Sequence, residues 1–84
     1  MKFTIVALND NLIKTMKITK TSDSYGYLPI PSKIAPLSVV CNTAGYYSSK
    51  LFKNVYNIWY VRIYHSDDDT VVPNTDIDVT ITYK

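Results

Sequence analysis

Polar and apolar residues alternate without interruption from Asp76 to Tyr83, with Ile77, Val79, Ile81 and Tyr83 on one side and Asp76, Asp78, Thr80 and Thr82 on the other. A period of two held over that length specifies a β-strand with one buried and one wet face. The carboxylates of Asp76 and Asp78 are expected to discourage unwanted pairing at a sheet edge. A second strand is predicted over residues 57–64, where Trp59, Val61 and Ile63 share one face and Ile58, Tyr60, Arg62 and Tyr64 the other. Both of its faces carry large apolar surface, so both require cover. Such a strand is central in a sandwich or lies at a subunit interface.

Weaker strand patterns run over residues 3–8, 13–19, 37–42 and 46–53. Turn chemistry separates them: Asn9-Asp10-Asn11, the run from Ser22 to Gly26, Ala44-Gly45, and the run from Ser66 to Asp69. The segment Leu28-Pro29-Ile30-Pro31 is barred from a central strand, because proline donates no ladder hydrogen bond. It is expected to form an extended edge or a crossover between sheets, followed by a short helical turn over residues 32–35.

Composition reinforces this pattern. Glu and Gln are absent and only three Ala occur, which leaves poor material for helices. Val, Ile and Thr together supply 26 residues and Tyr eight more, types that suit a pleated, half-buried surface. The expected fold is all-β: a small antiparallel, jelly-roll-like β-sandwich of about six to seven strands. One domain is expected over residues 1–84. The opening apolar run is short and is followed at once by Asn9-Asp10-Asn11, so it is read as a strand and not as a signal peptide.

Size bounds the stability of such a domain. Folding 84 residues removes about 9,000 Å² from water. If ~60% of that area is apolar, its burial is worth about 130 kcal/mol. Ordering the chain costs about 126 kcal/mol. Near-cancellation calls for an added constraint. Cys41 is the sole cysteine, so no disulfide forms within the chain, and His65 is the sole histidine, so the usual zinc constellations are missing. A homo-oligomer is therefore expected, with no metal and no cofactor. The lone cysteine also argues against maturation in an oxidising compartment.

The formal net charge of +2 is too small for an electrostatic footprint on nucleic acid or an anionic membrane, and no run is long and apolar enough to span a bilayer. No nucleic-acid partner and no membrane insertion are expected. Catalysis is not expected either. Cys41 lies in an apolar run where cysteine behaves as a small core hydrophobe, which disfavours a dyad with His65. Asp67-Asp68-Asp69 lacks the alternating ligands and the glycine of a calcium loop and reads as a hairpin tip.

The face formed by Ile58, Tyr60, Arg62 and Tyr64 carries the candidate chemistry. Tyr and Arg are favoured at protein interfaces, where a flat ring buries area at little entropic cost. Aromatic rings beside polar groups also cover the apolar face of a sugar while its hydroxyls are bonded. This face is a candidate ligand or subunit surface, and Tyr46, Tyr47, Asn74 and Asp68 are candidate carbohydrate contacts. Rings beside a cation suit single-stranded nucleic acid as well, but little charge is available to hold a phosphate backbone.

Four stretches carry a family resemblance. Trp59-Tyr60-Val61-Arg62-Ile63, then Pro73-Asn74-Thr75-Asp76 running into the final strand, resembles the C-terminal segments of bacteriophage tail-fibre, tail-spike and base-plate proteins. Upstream, Tyr25-Gly26-Tyr27-Leu28-Pro29-Ile30-Pro31 followed by Leu37-Ser38-Val39-Val40-Cys41 is similar to the same pattern, so that about two-thirds of the chain is covered. The resemblance implies a non-enzymatic β-sandwich at a fibre tip in the virion, commonly trimeric, binding bacterial surface carbohydrate. A fibre cap or trimerisation module without a ligand is the alternative within that family. A small intracellular nucleic-acid-binding or inhibitor protein is the alternative outside it.

Overall fold

A computed structural model describes residues 13–84, and the strand expected over residues 3–8 lies outside them. Seven strands form: β1 (Lys14–Thr21), β2 (Tyr27–Pro29), β3 (Pro36–Cys41), β4 (Tyr46–Ser48), β5 (Phe52–Lys53), β6 (Trp59–His65) and β7 (Asp76–Tyr83). They make two antiparallel sheets, and no helix occurs among the described residues. The fold is a small all-β sandwich. One sheet has the order β1-β7-β3. In the other, β6 is central, with β2 along one side and β4 and then β5 along the opposite side. The chain passes between the sheets at β1 to β2, β2 to β3, β3 to β4 and β6 to β7, the alternation that jelly-roll wrapping requires.

Alternation on the two central strands builds the core. Val61 and Ile63 of β6, with Leu28 of β2 and the flanking Ile30 and Val72, meet Ile77, Val79 and Ile81 of β7. All eight are buried. Met16, Ile18, Val39, Cys41, Leu51, Trp59 and Tyr83 close around them. Burying a side chain of this size contributes about 1.5–3 kcal/mol, so these few residues dominate the stability.

Several sequence expectations need correction. β7 pairs with β1 over its whole length and with β3 from Val79 onward, so it is the central strand of its sheet; the Asp76 and Asp78 carboxylates accept hydrogen bonds from the Thr21 and Thr19 hydroxyls of β1. Among the described residues the edges of this sheet are β1 and β3, and on β1 Lys14, Lys17 and Lys20 supply charge that deters pairing. The strand expected over residues 46–53 is broken between β4 and β5. There Ser49 N donates to Arg62 O, while Arg62 N donates to Ser49 Oγ at 3.0 Å. A side-chain oxygen has replaced the backbone carbonyl that a continuous ladder would use.

No helical turn forms at residues 32–35, where only a turn closes, with Ile34 N donating to Pro31 O. Ala35 precedes Pro36, and the proline ring disfavours helical backbone at the residue before it. The Leu28-to-Pro31 segment serves in both expected ways: β2 ends as an edge strand, and Ile30 onward crosses to the other sheet.

Candidate functional site

β6 places Tyr60, Arg62 and Tyr64 on the outer face of its sheet because Val61 and Ile63 between them are committed to the core. Each is met by a cross-strand partner. Phe52 lies opposite Tyr60, Tyr27 opposite Arg62, and Tyr47 opposite Tyr64. Directly opposed residues share a face, and aromatic pairs so placed contribute beyond their area.

The resulting surface is continuous. Ring centroids of Tyr60 and Phe52 are 4.1 Å apart, and Tyr27 sits edge-on to Tyr60 at 5.3 Å. The Arg62 guanidinium lies 4.7 Å from the Tyr27 ring centroid, and its Nε donates to Tyr25 O at 2.9 Å. That fixes the charge between the two aromatic groups. Beyond it, Tyr47 and Tyr64 stack at 5.4 Å with ring planes 24° apart. Tyr60, Arg62 and Tyr64 are consequently half-buried. The cover that the doubly apolar strand demanded is supplied in part from within the chain.

At the lower end of this face a groove of about 360 Å³ is lined by Asp23, Tyr27, Pro29, Asn54, Ile58 and Tyr60. Its two polar members are held by tight turns. Asp23 Oδ1 accepts the N–H groups of Tyr25 and Tyr27, and Asn54 Oδ1 accepts those of Tyr56 and Ile58. The opposite sheet carries a groove of about 300 Å³ lined by Lys17, Ile18, Thr19, Asn42, Asp78 and Val79. Of its polar groups, Asp78 Oδ1 accepts from the Thr19 hydroxyl and Asn42 Nδ2 donates to Thr80 Oγ1 at 2.7 Å.

The other predicted contacts scatter. Tyr46 lies opposite His65 and packs on the core with its ring edge-on to the imidazole at 5.3 Å. Adjacent strand residues face opposite ways, so Tyr46 and Tyr47 do not share a surface. Asp68 lies in the turn after β6 and accepts Thr70 Oγ1 at 2.7 Å and Thr70 N at 3.1 Å. Asn74 lies in the loop before β7 with φ 52° and donates its backbone N–H to Asp23 O. Tyr27 and Asp23 were not among the candidates because pairing of β2 with distant β6 brings them there, and Phe52 and Asn54 were not because they arrive through the β5–β6 hairpin, which hydrophobic periodicity does not mark. Cys41 is half-buried, with Sγ facing Thr43 O at 3.8 Å. Among the described residues no three His, Cys, Asp or Glu side chains converge as metal ligands.

The upper end of the face has its own electrostatics. The Tyr47 hydroxyl donates to Asp69 Oδ1 at 2.7 Å, a bond to its neutral form that raises its pKa, with the Asp69 charge adding to the effect. The tie holds below the ordinary tyrosine range and is lost as pH rises through the elevated value. Hydrogen bonds from the Thr70 hydroxyl and N–H hold the Asp68 carboxyl below the usual range. Its support for the turn is present above the unfolded-state value and is lost as pH falls through the depressed one. A carboxyl-detected NMR titration is expected to place the Asp68 midpoint below that of a model peptide, with the Thr70 amide shift moving in step. A midpoint at or above the peptide value would remove this assignment.

No protein-family model, curated protein or solved structure matches the chain. Fold and site together define a small β-sandwich module with one aromatic outer face.

Proposed function

We propose that this protein is a non-enzymatic binding module that takes carbohydrate on the outer face of the β6 sheet. The observation that carries the reading is the unbroken aromatic surface, from Tyr27, Phe52 and Tyr60 past Arg62 to the Tyr47–Tyr64 stack. Tyr60 and Tyr64 are four residues apart on one face, a span of about 13 Å. Both rings can therefore contact one oligosaccharide that runs along the strand, at sugar units that are not adjacent. The resemblance to phage tail-fibre tips favours a bacterial surface glycan as the ligand and a trimeric virion component as the setting.

On an array of bacterial surface glycans, the folded protein is expected to bind, and Tyr60→Ala and Tyr64→Ala are each expected to weaken binding about tenfold. Circular dichroism of each variant checks that the fold persists. Absence of binding to any such glycan by the folded protein would overturn the proposal.

A second reading, a fibre cap or trimerisation module without ligand, is favoured by one feature. Val55 and Tyr56, at the tip of the β5–β6 hairpin, are 89% and 79% exposed, an apolar pair offered to a partner. A monomeric mass in native mass spectrometry at micromolar concentration would remove that reading and the trimeric setting together.

A further inference from the structure

The groove at the lower end of the aromatic face sets two uncommitted polar atoms beside an apolar floor. Asp23 uses Oδ1 for two backbone N–H groups, and its second oxygen, Oδ2, bonds to no other described residue. Asn54 likewise uses Oδ1 for two backbone N–H groups, which fixes the amide orientation and leaves Nδ2 free. The groove thus offers one acceptor and one donor beside a floor of Tyr27, Pro29, Ile58 and Tyr60. Its volume of about 360 Å³ lies at the small end of the ligand-site range. In the groove on the other sheet, Asp78 Oδ1 and Asn42 Nδ2 bond to Thr19 and Thr80, and Lys17 adds a cation to the lining that the first groove lacks.

We propose that this groove is the primary sugar seat and that it selects a neutral pyranose over an acidic one. This inference rests on the carbohydrate reading above. A pyranose presents an apolar C–H face and a rim of hydroxyls that both donate and accept. The C–H face lies on Tyr60 with Tyr27 edge-on beside it, one hydroxyl donates to Asp23 Oδ2, and another accepts from Asn54 Nδ2. Among the described residues, Asp23 is the only ionised side chain lining the groove. The carboxylate of a uronic or sialic acid would meet a like charge there, with no cation in the lining to offset it. Arg62 does not serve, because its Nε bond to Tyr25 O holds it over Tyr27 and outside the lining.

Two isosteric substitutions test the assignment without disturbing the turns. Asn54→Asp and Asp23→Asn both retain the Oδ1 acceptor that supports the backbone, and each converts only the outward atom. The probes are the methyl α-pyranosides of glucose, galactose and mannose and free N-acetylglucosamine, set against galacturonate and N-acetylneuraminate. Binding is followed by NMR titration of the full chain. At least one neutral probe is expected to bind the unsubstituted protein more tightly than either acid does. Each substitution is expected to weaken that probe about tenfold. Asp23→Asn is further expected to narrow the gap between neutral and acidic sugars, a change of selectivity that a purely structural role would not produce.

Preference for an acidic probe by the unsubstituted protein would overturn the proposal. So would neutral-sugar binding that neither substitution alters, in which case the aromatic face still binds glycan but elsewhere along its length. Failure of every probe and of every arrayed glycan would overturn this inference and the carbohydrate reading together.

Discussion

Ile63→Ala is expected to cost about 2–5 kcal/mol of stability. Ile63 is fully buried at the middle of the sandwich, on the central strand of its sheet. Its backbone is also a junction: Ile63 N donates to Gly26 O at 2.8 Å, and Val72 N donates to Ile63 O at 2.9 Å. Alanine would leave a cavity between β6 and β7 that these ties prevent from collapsing. At ~0.05–0.15 kcal/mol per residue, a domain of this size has a total stability of about 4–13 kcal/mol. The loss therefore consumes a large share of it. Ile63→Val removes a single methylene and is expected to cost about 0.5–1.5 kcal/mol. Urea denaturation followed by circular dichroism measures both. An Ile63→Ala loss no larger than the Ile63→Val loss would show that the two sheets do not close on this residue.

Gly26→Ala is expected to destabilise markedly more than Gly45→Ala, although both glycines have similar backbone conformations. Gly26 has φ 84° and Gly45 has φ 87°, a left-handed region that costs an L-residue about 1–2 kcal/mol. Their surroundings differ. A Cβ at Gly26 would lie 3.2 Å from Val71 Cβ, 3.3 Å from Ile63 O and 3.4 Å from Val72 N, and two of those atoms are backbone. At Gly45 nothing lies within 4 Å. Gly45→Ala should thus lose about 1–2 kcal/mol from conformation alone. Gly26→Ala adds a crowding cost of about 1–3 kcal/mol and strains the point where the β1–β2 and β6–β7 connections meet. Equal losses in parallel denaturation experiments would mean that residues 71 and 72 do not pack against this turn.

The two central strands were legible because their signal is local. Alternation from Asp76 to Tyr83 is carried by each residue and its neighbours, and β7 occupies those residues. β6 begins at Trp59, later than the pattern suggested, because Asn54 organises a turn that places Asn57 at φ 63°. A turn of this kind leaves no trace in hydrophobic periodicity. Pairing was illegible for a different reason. Whether β7 is an edge or a centre depends on β1 and β3, which lie far away in sequence, and alternation is the same in either position. The site divides along the same line. Tyr60, Arg62 and Tyr64 follow from the period of β6, whereas Tyr27 and Phe52 reach that face only through register. Placing both Tyr46 and Tyr47 on one surface ignored a rule the sequence itself carries, since neighbours in a strand point apart.

Amide chemical-shift mapping with an oligosaccharide from a bacterial surface tests the central claim most directly, because it reads both faces of the sandwich at once. Perturbations are expected to follow β6 and its partners, at Tyr27, Phe52, Tyr60, Arg62, Tyr64 and Tyr47, with the Thr-rich face of β1 and β7 unchanged. Perturbations confined to Thr15, Lys17, Thr19 and Thr80 would contradict the account.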